Sequence, residues 1–175
     1  MGRACSTDPG MTEQGGISAE IADWSRERKR PGEWNPGKKL LASIRDYQKY
    51  RGLRRKLAVL RHRFWSAVTG ADIPINSEIG GGLLIPHPNG IVIHPSARIG
   101  PNCLLFQQVT IGDADGVPTI GGHVDIGAGA RILGPIHVAD HARIGANAVV
   151  LTDVAAGATM VGIPARAIKP RQQAD

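Results

Sequence analysis

The chain has 175 residues, 23 of them Gly, with aromatics at only 4% and a formal net charge of +6. So few aromatics argue against a globule packed on large rings and favour a repeated array of small aliphatic side chains. No apolar run approaches the roughly 20 residues that cross a bilayer as a helix. Cys5 and Cys103 give neither a metal spacing nor a disulfide framework, so a cytoplasmic setting is expected.

Residues 1–16 are polar and Gly-rich and read as a tail, with Met1 and Met11 both candidate starts. Residues 17–70 read as a helical region. A short helix is expected over 17–30, before Pro31, Gly32, Asn35, Pro36 and Gly37 break the chain. From about Lys38 to Val68 the period is helical. Leu53, Leu57, Leu60, Phe64, Trp65 and Val68 recur at spacings of three and four and form one apolar stripe, with the basic residues on the other face. Gly52 is expected to separate two helices and Gly70 to stop the second. The Lys and Arg residues are concentrated here, while the half from Asp72 onward is close to neutral. A basic face of this kind suits nucleic acid, an anionic membrane surface or plain solvent. Tyr47, Tyr50, Phe64 and Trp65 form no single-strand-binding pattern, so no nucleic-acid partner is expected.

After Gly70 the period becomes six, over a region read as 71–168 and followed by a tail at 169–175. Ile73, Ile79, Ile85 and Ile91 stand six apart, then Ile93, Ile99, Leu105 and Ile111, then Ile120, Ile126, Ile132, Val138, Ile144 and Val150. Gly often follows the aliphatic residue, as at Gly80, Gly100, Gly112, Gly121, Gly127 and Gly145. Ala97, Ala130, Ala142 and Ala148 sit two before it. A strand hides alternate side chains, not every sixth. A short strand plus a turn, repeated as the faces of a coil, hides every sixth and stacks into a parallel β-helix. The glycines are expected to supply turn conformations that a Cβ would penalise. The register slips by two between Ile91 and Ile93 and by nine between Ile111 and Ile120. Extra residues must leave a solenoid as loops, often on a binding face. Pro86–Gly90 and Asp113–Pro118 are therefore the expected functional loops.

Several segments carry a resemblance. They are Gly70-Ala71-Asp72-Ile73, His87-Pro88-Asn89-Gly90-Ile91-Val92-Ile93, Gln107-Gln108-Val109-Thr110-Ile111-Gly112, Ile126-Gly127-Ala128-Gly129-Ala130-Arg131-Ile132-Leu133-Gly134, Ile144-Gly145-Ala146 and Val161-Gly162-Ile163-Pro164-Ala165-Arg166. Over about residues 45–170 the sequence resembles the serine O-acetyltransferase family of hexapeptide-repeat acyltransferases. The resemblance implies a left-handed β-helix of three-sided coils behind a helical N-terminal region. It also implies a homotrimer with sites between subunits, and acetyl-CoA as co-substrate with no metal. His87 falls on the family's catalytic histidine and Asp72 on its partner aspartate. The acetyl-CoA contacts fall on Gly112, Asp113, Ala128, Ala146 and Arg166, with the pantetheine arm passing Ala128 and Ala146.

The implied chemistry suits these residue types. A hydroxyl is a poor nucleophile until a base takes its proton, and imidazole does so near neutral pH. A carboxylate on the other ring nitrogen fixes the tautomer and stabilises the imidazolium. Fifteen residues on a coil of about eighteen put His87 and Asp72 on neighbouring coils, where a hydrogen bond between them is feasible. No Ser or Cys nucleophile signature is visible, so direct transfer is expected.

The sequence departs from the family at Pro86 and Pro95, which stand where the family has acidic residues, and at Gly116 and Val117, which stand where it has an Arg-His pair. An amino-acid acceptor needs charges to hold it, so a sugar hydroxyl remains the alternative acceptor. The family docks a sulfhydrylase through a tail ending in Ile. This chain ends Arg171-Gln172-Gln173-Ala174-Asp175, and no such docking is expected.

A zinc hydratase of the same fold would need three His ligands. His137 and His141 are the only close pair, and with His123 they fall at outward positions. His62 is expected to be solvated on the basic helix and His94 to serve a turn. Cys103 occupies the small-residue position and reads as a buried filler.

Overall fold

The computed structural model describes residues 16–112 and 116–168. The segments read as tails lie outside these residues, apart from Gly16. So do Cys5, Asp113 and the C-terminal residues on which the sulfhydrylase expectation rests.

Two helices precede a left-handed parallel β-helix of about four turns. Helix α1 spans Pro36–Lys49. Pro36 occupies its first turn, and the Asn35 side chain caps it by accepting from the Lys38 N–H at 3.0 Å. Helix α2 spans Gly52–Thr69 and ends at Gly70, whose φ of 65° is the left-handed cap that a glycine adopts without strain. The segment before α1 carries only one 3-10 turn, Trp24–Glu27, in place of the expected helix.

The β-helix has three faces of two- or three-residue strands in parallel register. On the first, Ile93, Ile111, Ile132 and Val150 stack in one ladder. On the second, Ile79, Ile99, Ile120, Val138 and Val154 do the same. On the third, Leu105, Ile126, Ile144 and Met160 stack, and Arg166–Ile168 closes that face as an antiparallel strand. These residues are buried, and each contributes about 2 kcal/mol of apolar burial. The two register slips appear where the six-residue period breaks. Val92 follows its bridge partner Asp72 by twenty residues, and Arg131 follows its partner Thr110 by twenty-one, whereas Thr110 follows Val92 by eighteen. A third slip, between Val150 and Val154, has no counterpart in the expected pattern.

Of the glycines that follow the aliphatic residues, Gly112, with φ 98°, takes the expected turn conformation, and the others are there for a different reason. The left-handed conformations lie two residues further on, at Gly82, Asn102, His123 and His141 on one corner and at Gly90, Gln108, Gly129 and Asn147 on another. Gly80, Gly100 and Gly127 instead sit where a Cβ would come within 2.5–2.6 Å of the backbone of the next coil. Close stacking of coils, not φ, selects them.

The apolar stripe on α2 does not pack against the body of the protein. Leu53, Leu57, Leu60, Phe64 and Val68 face solvent. The helical contribution to the core comes from Leu40, Leu41 and Ile44 of α1, which join Leu83 and Ile85 of the first coil.

Residues 18–27 run as a strap along the corner between the second and third faces. Asn102, fully buried there with φ 61°, is its anchor. Its Oδ1 accepts from the Asp23 N–H at 2.8 Å, and its Nδ2 donates to the carbonyls of Ser18 and Ile21, both at 2.7 Å. Gly122 lies so close to Ala19 that a Cβ would overlap the Ala19 carbonyl. Arg45 of α1 locks the end of the strap. Its guanidinium donates to both oxygens of Glu27, at 3.1 and 2.8 Å, and to the carbonyls of Ile79 and Gly80 at 2.6 and 2.7 Å. The Glu27 carboxylate also accepts from the Leu83 N–H at 3.2 Å.

Asn102→Ala removes three side-chain hydrogen bonds and leaves buried backbone groups unpaired at a strained φ. Chemical denaturation is expected to show a loss of about 3 kcal/mol. Asn102→Asp, which keeps the acceptor and loses the donors, is expected to fall between the two.

Candidate functional site

The two residues that extend the first coil push Pro86–Gly90 out at the corner between the third and first faces. The corner is held at both ends. The Gly90 N–H donates to the Gly70 carbonyl at 3.0 Å, and the Gln108 N–H donates to the Asn89 carbonyl at 2.9 Å. Asp72 enters the first face directly above the corner's exit. Its N–H donates to Ile91 at 2.8 Å, and its carbonyl accepts from Ile93 at 2.9 Å. The backbone therefore draws the α2 terminus, Asp72 and the His87 corner into one neighbourhood.

His87 and Asp72 are both exposed. Neither side chain hydrogen-bonds or ion-pairs with the other or with any other described residue. The fifteen-residue separation is a partial circuit of this lengthened coil, so the two flank one corner of the protomer.

The remaining expected residues divide between two edges. Ala128 and Ala146 occupy successive coils on the His87 corner, tied by the Asn147 N–H donating to the Ala128 carbonyl at 2.8 Å. Arg166 is exposed on the closing strand, paired with Val161 at the lower end of that corner. Gly112 lies across the first face on its opposite edge, with φ 98° and its flank against the His94 side chain.

Two residues escaped the sequence reading. Gln107 stands on the His87 corner, one coil above Ala128, and its Oε1 is buried without a hydrogen-bond partner. Its column runs Asn89, Gln107, Ala128, Ala146, and the two polar residues above the alanines were the available signal. His62 is half-buried rather than solvated. Its Nδ1 lies 3.2 Å from Ser43 Oγ, which itself donates to the Leu40 carbonyl. Burial lowers the His62 pKa against the opposing pull of the Ile73 backbone and the Asp72 charge.

The other candidates are structural. His94 Nδ1 accepts from the Ser96 N–H at 3.2 Å and braces its own turn. Cys103 is buried with its thiol pushed up to about 12 by desolvation, which leaves it protonated and inert. His123 and His141 meet through their Nδ1 atoms at 2.8 Å, so one ring donates and the other accepts. Among the described residues no group of three or more His, Cys, Asp or Glu side chains converges as a metal site.

The arrangement is that of a hexapeptide-repeat β-helix with an exposed histidine and carboxylate beside a column of small residues. No family model matches the chain. The serine acetyltransferase of Mycobacterium tuberculosis is 40% identical over 123 residues, 67% of this chain and 54% of that protein. The serine acetyltransferase of Helicobacter pylori strain J99 is 43% identical over 106 residues, 58% of this chain and 62% of that protein. Among solved structures, the serine acetyltransferase of Neisseria gonorrhoeae aligns with a TM-score of 0.68 at 33% identity, over 81% of this chain and 58% of that one. A serine acetyltransferase in complex with CoA aligns with a TM-score of 0.68 at 36% identity, over 77% of this chain and 58% of that one. Over the aligned residues the chain is similar to serine acetyltransferases in both sequence and fold. It spans about half the length of the curated relatives it matches.

Burial holds the pKa of both His62 and His123 below the ordinary value near 6.5. The unfolded chain then binds protons that the folded chain does not, so stability rises with pH across that window. The contribution is complete above about pH 6.5 and is lost as pH falls below it. Thermal melts are expected to drop between neutral and mildly acidic pH, and His62→Gln is expected to flatten part of the drop.

Proposed function

We propose that the chain is an acetyl-CoA-dependent O-acetyltransferase with L-serine as acceptor, working in the cytoplasm as a homotrimer. The observation that carries this reading is the two-residue extension of the first coil, which sets His87 outside the solenoid beside Asp72. The kinship with serine acetyltransferases, one of them solved with CoA, supports the choice of co-substrate.

Acetyl-CoA supplies an activated acetyl carbonyl. His87 accepts the proton of the acceptor hydroxyl as that oxygen attacks, and later returns it to the leaving thiolate. Asp72 orients the imidazole and stabilises its cation. It does so once a side-chain rotation brings the carboxylate to the ring, a tightening common when such sites bind substrate. Ala128 and Ala146 leave the corner open to a narrow chain, and the Arg166 guanidinium offers a cation at its lower end. Gly112 belongs to the opposite edge of the same face and, with Asp113 next to it in sequence, would serve a subunit packed against it. Both catalytic side chains are exposed on one protomer, which fits a cleft completed by a neighbouring subunit. The charges of the family's acceptor loop are replaced at Gly116 and Val117, which favours keeping a sugar hydroxyl as the second acceptor to try.

Free-thiol release from acetyl-CoA with serine is expected for the purified chain. His87→Ala is expected to lower kcat by about 10²–10⁴-fold, and Asp72→Asn by less, with melting temperatures unchanged. Full turnover in His87→Ala would remove the assignment of the base. Light scattering is expected to give three times the protomer mass, and a stable monomer would contradict the shared cleft.

A further inference from the structure

Helix α2 presents Leu53, Leu57, Leu60, Phe64 and Val68 to solvent, at 82, 55, 63, 58 and 46% exposure. The spacing i, i+4, i+7, i+11, i+15 puts all five on one line along the helix. The buried residues Ala58 and Thr69 lie on the opposite side, toward α1 and the β-helix. At 3.6 residues per turn, Arg54 and Arg61 border one edge of the stripe, and Lys56 and Arg63 border the other. The helix contains five Lys and Arg residues and no Asp or Glu. An aromatic patch continues the apolar surface. Phe64 packs edge-on to Trp65 at 4.9 Å, Trp65 to Trp34 at 5.9 Å, and Trp34 is 73% exposed beneath the Lys39 ammonium.

The helix is also badly made for its own stability. Its N-cap, Arg51, makes no side-chain capping bond, and no acid stands in its first turn. Arg54, Arg55 and Lys56 instead crowd the positive end of the helix dipole, where cations are unfavourable. Arg55 and Arg54 recover part of this loss by stacking on Tyr47 and Tyr50, at 4.0 and 5.3 Å, and cations kept at an uncapped positive end point to a function outside the fold.

We propose that α2 is an interfacial helix that docks this protein on an anionic phospholipid surface. The apolar stripe enters the headgroup boundary, and the flanking Lys and Arg side chains reach out to the phosphates. Exposed Trp is suited to the same boundary. A second copy of α2 is a poorer occupant, because two such faces would set cations against cations, and the one carboxylate beside the stripe, Asp46 of α1, is already paired with Arg61 of the same chain. A nucleic acid would satisfy the cations and leave the leucines in water. The inference does not depend on the transferase reading.

Vesicle co-sedimentation of the full chain tests it, with phosphatidylcholine alone and with phosphatidylcholine containing phosphatidylglycerol. Binding to the anionic vesicles is expected to exceed binding to the neutral ones by about tenfold or more, and to fall in high salt. Leu57→Glu with Leu60→Glu is expected to abolish binding while circular dichroism and oligomer mass stay unchanged. Changing Arg54, Lys56 and Arg63 to Gln is expected to weaken binding by about tenfold or more. Three results overturn the proposal. One is no preference for anionic vesicles. Another is undiminished binding by the double Glu variant, which would leave the stripe without a role. The third is a lower oligomer mass in that variant, which would mean that another copy covers the stripe.

Discussion

One aliphatic side chain every sixth residue, aimed at a common axis, is the constraint from which the rest of the structure follows. Each face of the coil offers one inward strand residue, such as Ile111, Ile126 or Ile120, with a buried residue such as Val109 or Val124 two before it, and each must stack on its counterpart one coil away. Backbone pairing between coils holds only while the circuit length is conserved. A circuit of eighteen is neutral, and any surplus has to be expelled at a corner. The surplus of two at Pro86–Gly90 and of three before Thr119 therefore produces two irregular outlines of the three-sided body, and the deficit of two before Val154 marks a third. The chemistry proposed for His87 is sited where the repeat cannot contain its own residues.

A solenoid built this way has an open first coil. Helix α1 closes it with Leu40, Leu41 and Ile44, and the strap from Ser18 to Glu27 ties the helices back to the body. The strap holds mainly through polar pairing. Asn102 at one end and the Arg45–Glu27 pair at the other satisfy buried carbonyls and N–H groups that the coil corners leave unpaired. The side chains of Arg45 and Glu27 are only 17% and 10% exposed, so breaking either partner would strand a charge.

The β-helix was legible because its period is strict and local. Hexad phase alone located both surplus loops and the inward ladder as far as Val150. It missed Val154 and Met160 because a two-residue deficit precedes them and no repeat follows to restore the phase. The glycines were found, but, Gly112 apart, for the wrong physical reason. A sequence shows which residue is small, whereas the approach of Pro101 to Gly80 is a property of stacked coils. The α2 stripe was legible as apolar but its exposure was not, because periodicity reports that a face is apolar, not what it meets. His62 and Asn102 were opaque for a related reason. Their partners, Ser43 with Ile73 and Ser18 with Asp23, lie on other elements and carry no motif. His87 and Asp72 were recognisable from the segments around them, and the fold adds the corner that brings their backbones together.

If expulsion of surplus residues creates the site, restoring an eighteen-residue circuit should remove it. Deleting Pro88 and Asn89 keeps both His87 and Asp72 while returning the corner to the geometry of the coils below. The decisive measurement is acetyl-CoA turnover with serine by that variant, taken alongside its thermal melt. The account predicts an intact melt with turnover reduced by about 10²-fold or more. A folded deletion variant that turns over at the parent rate would contradict it.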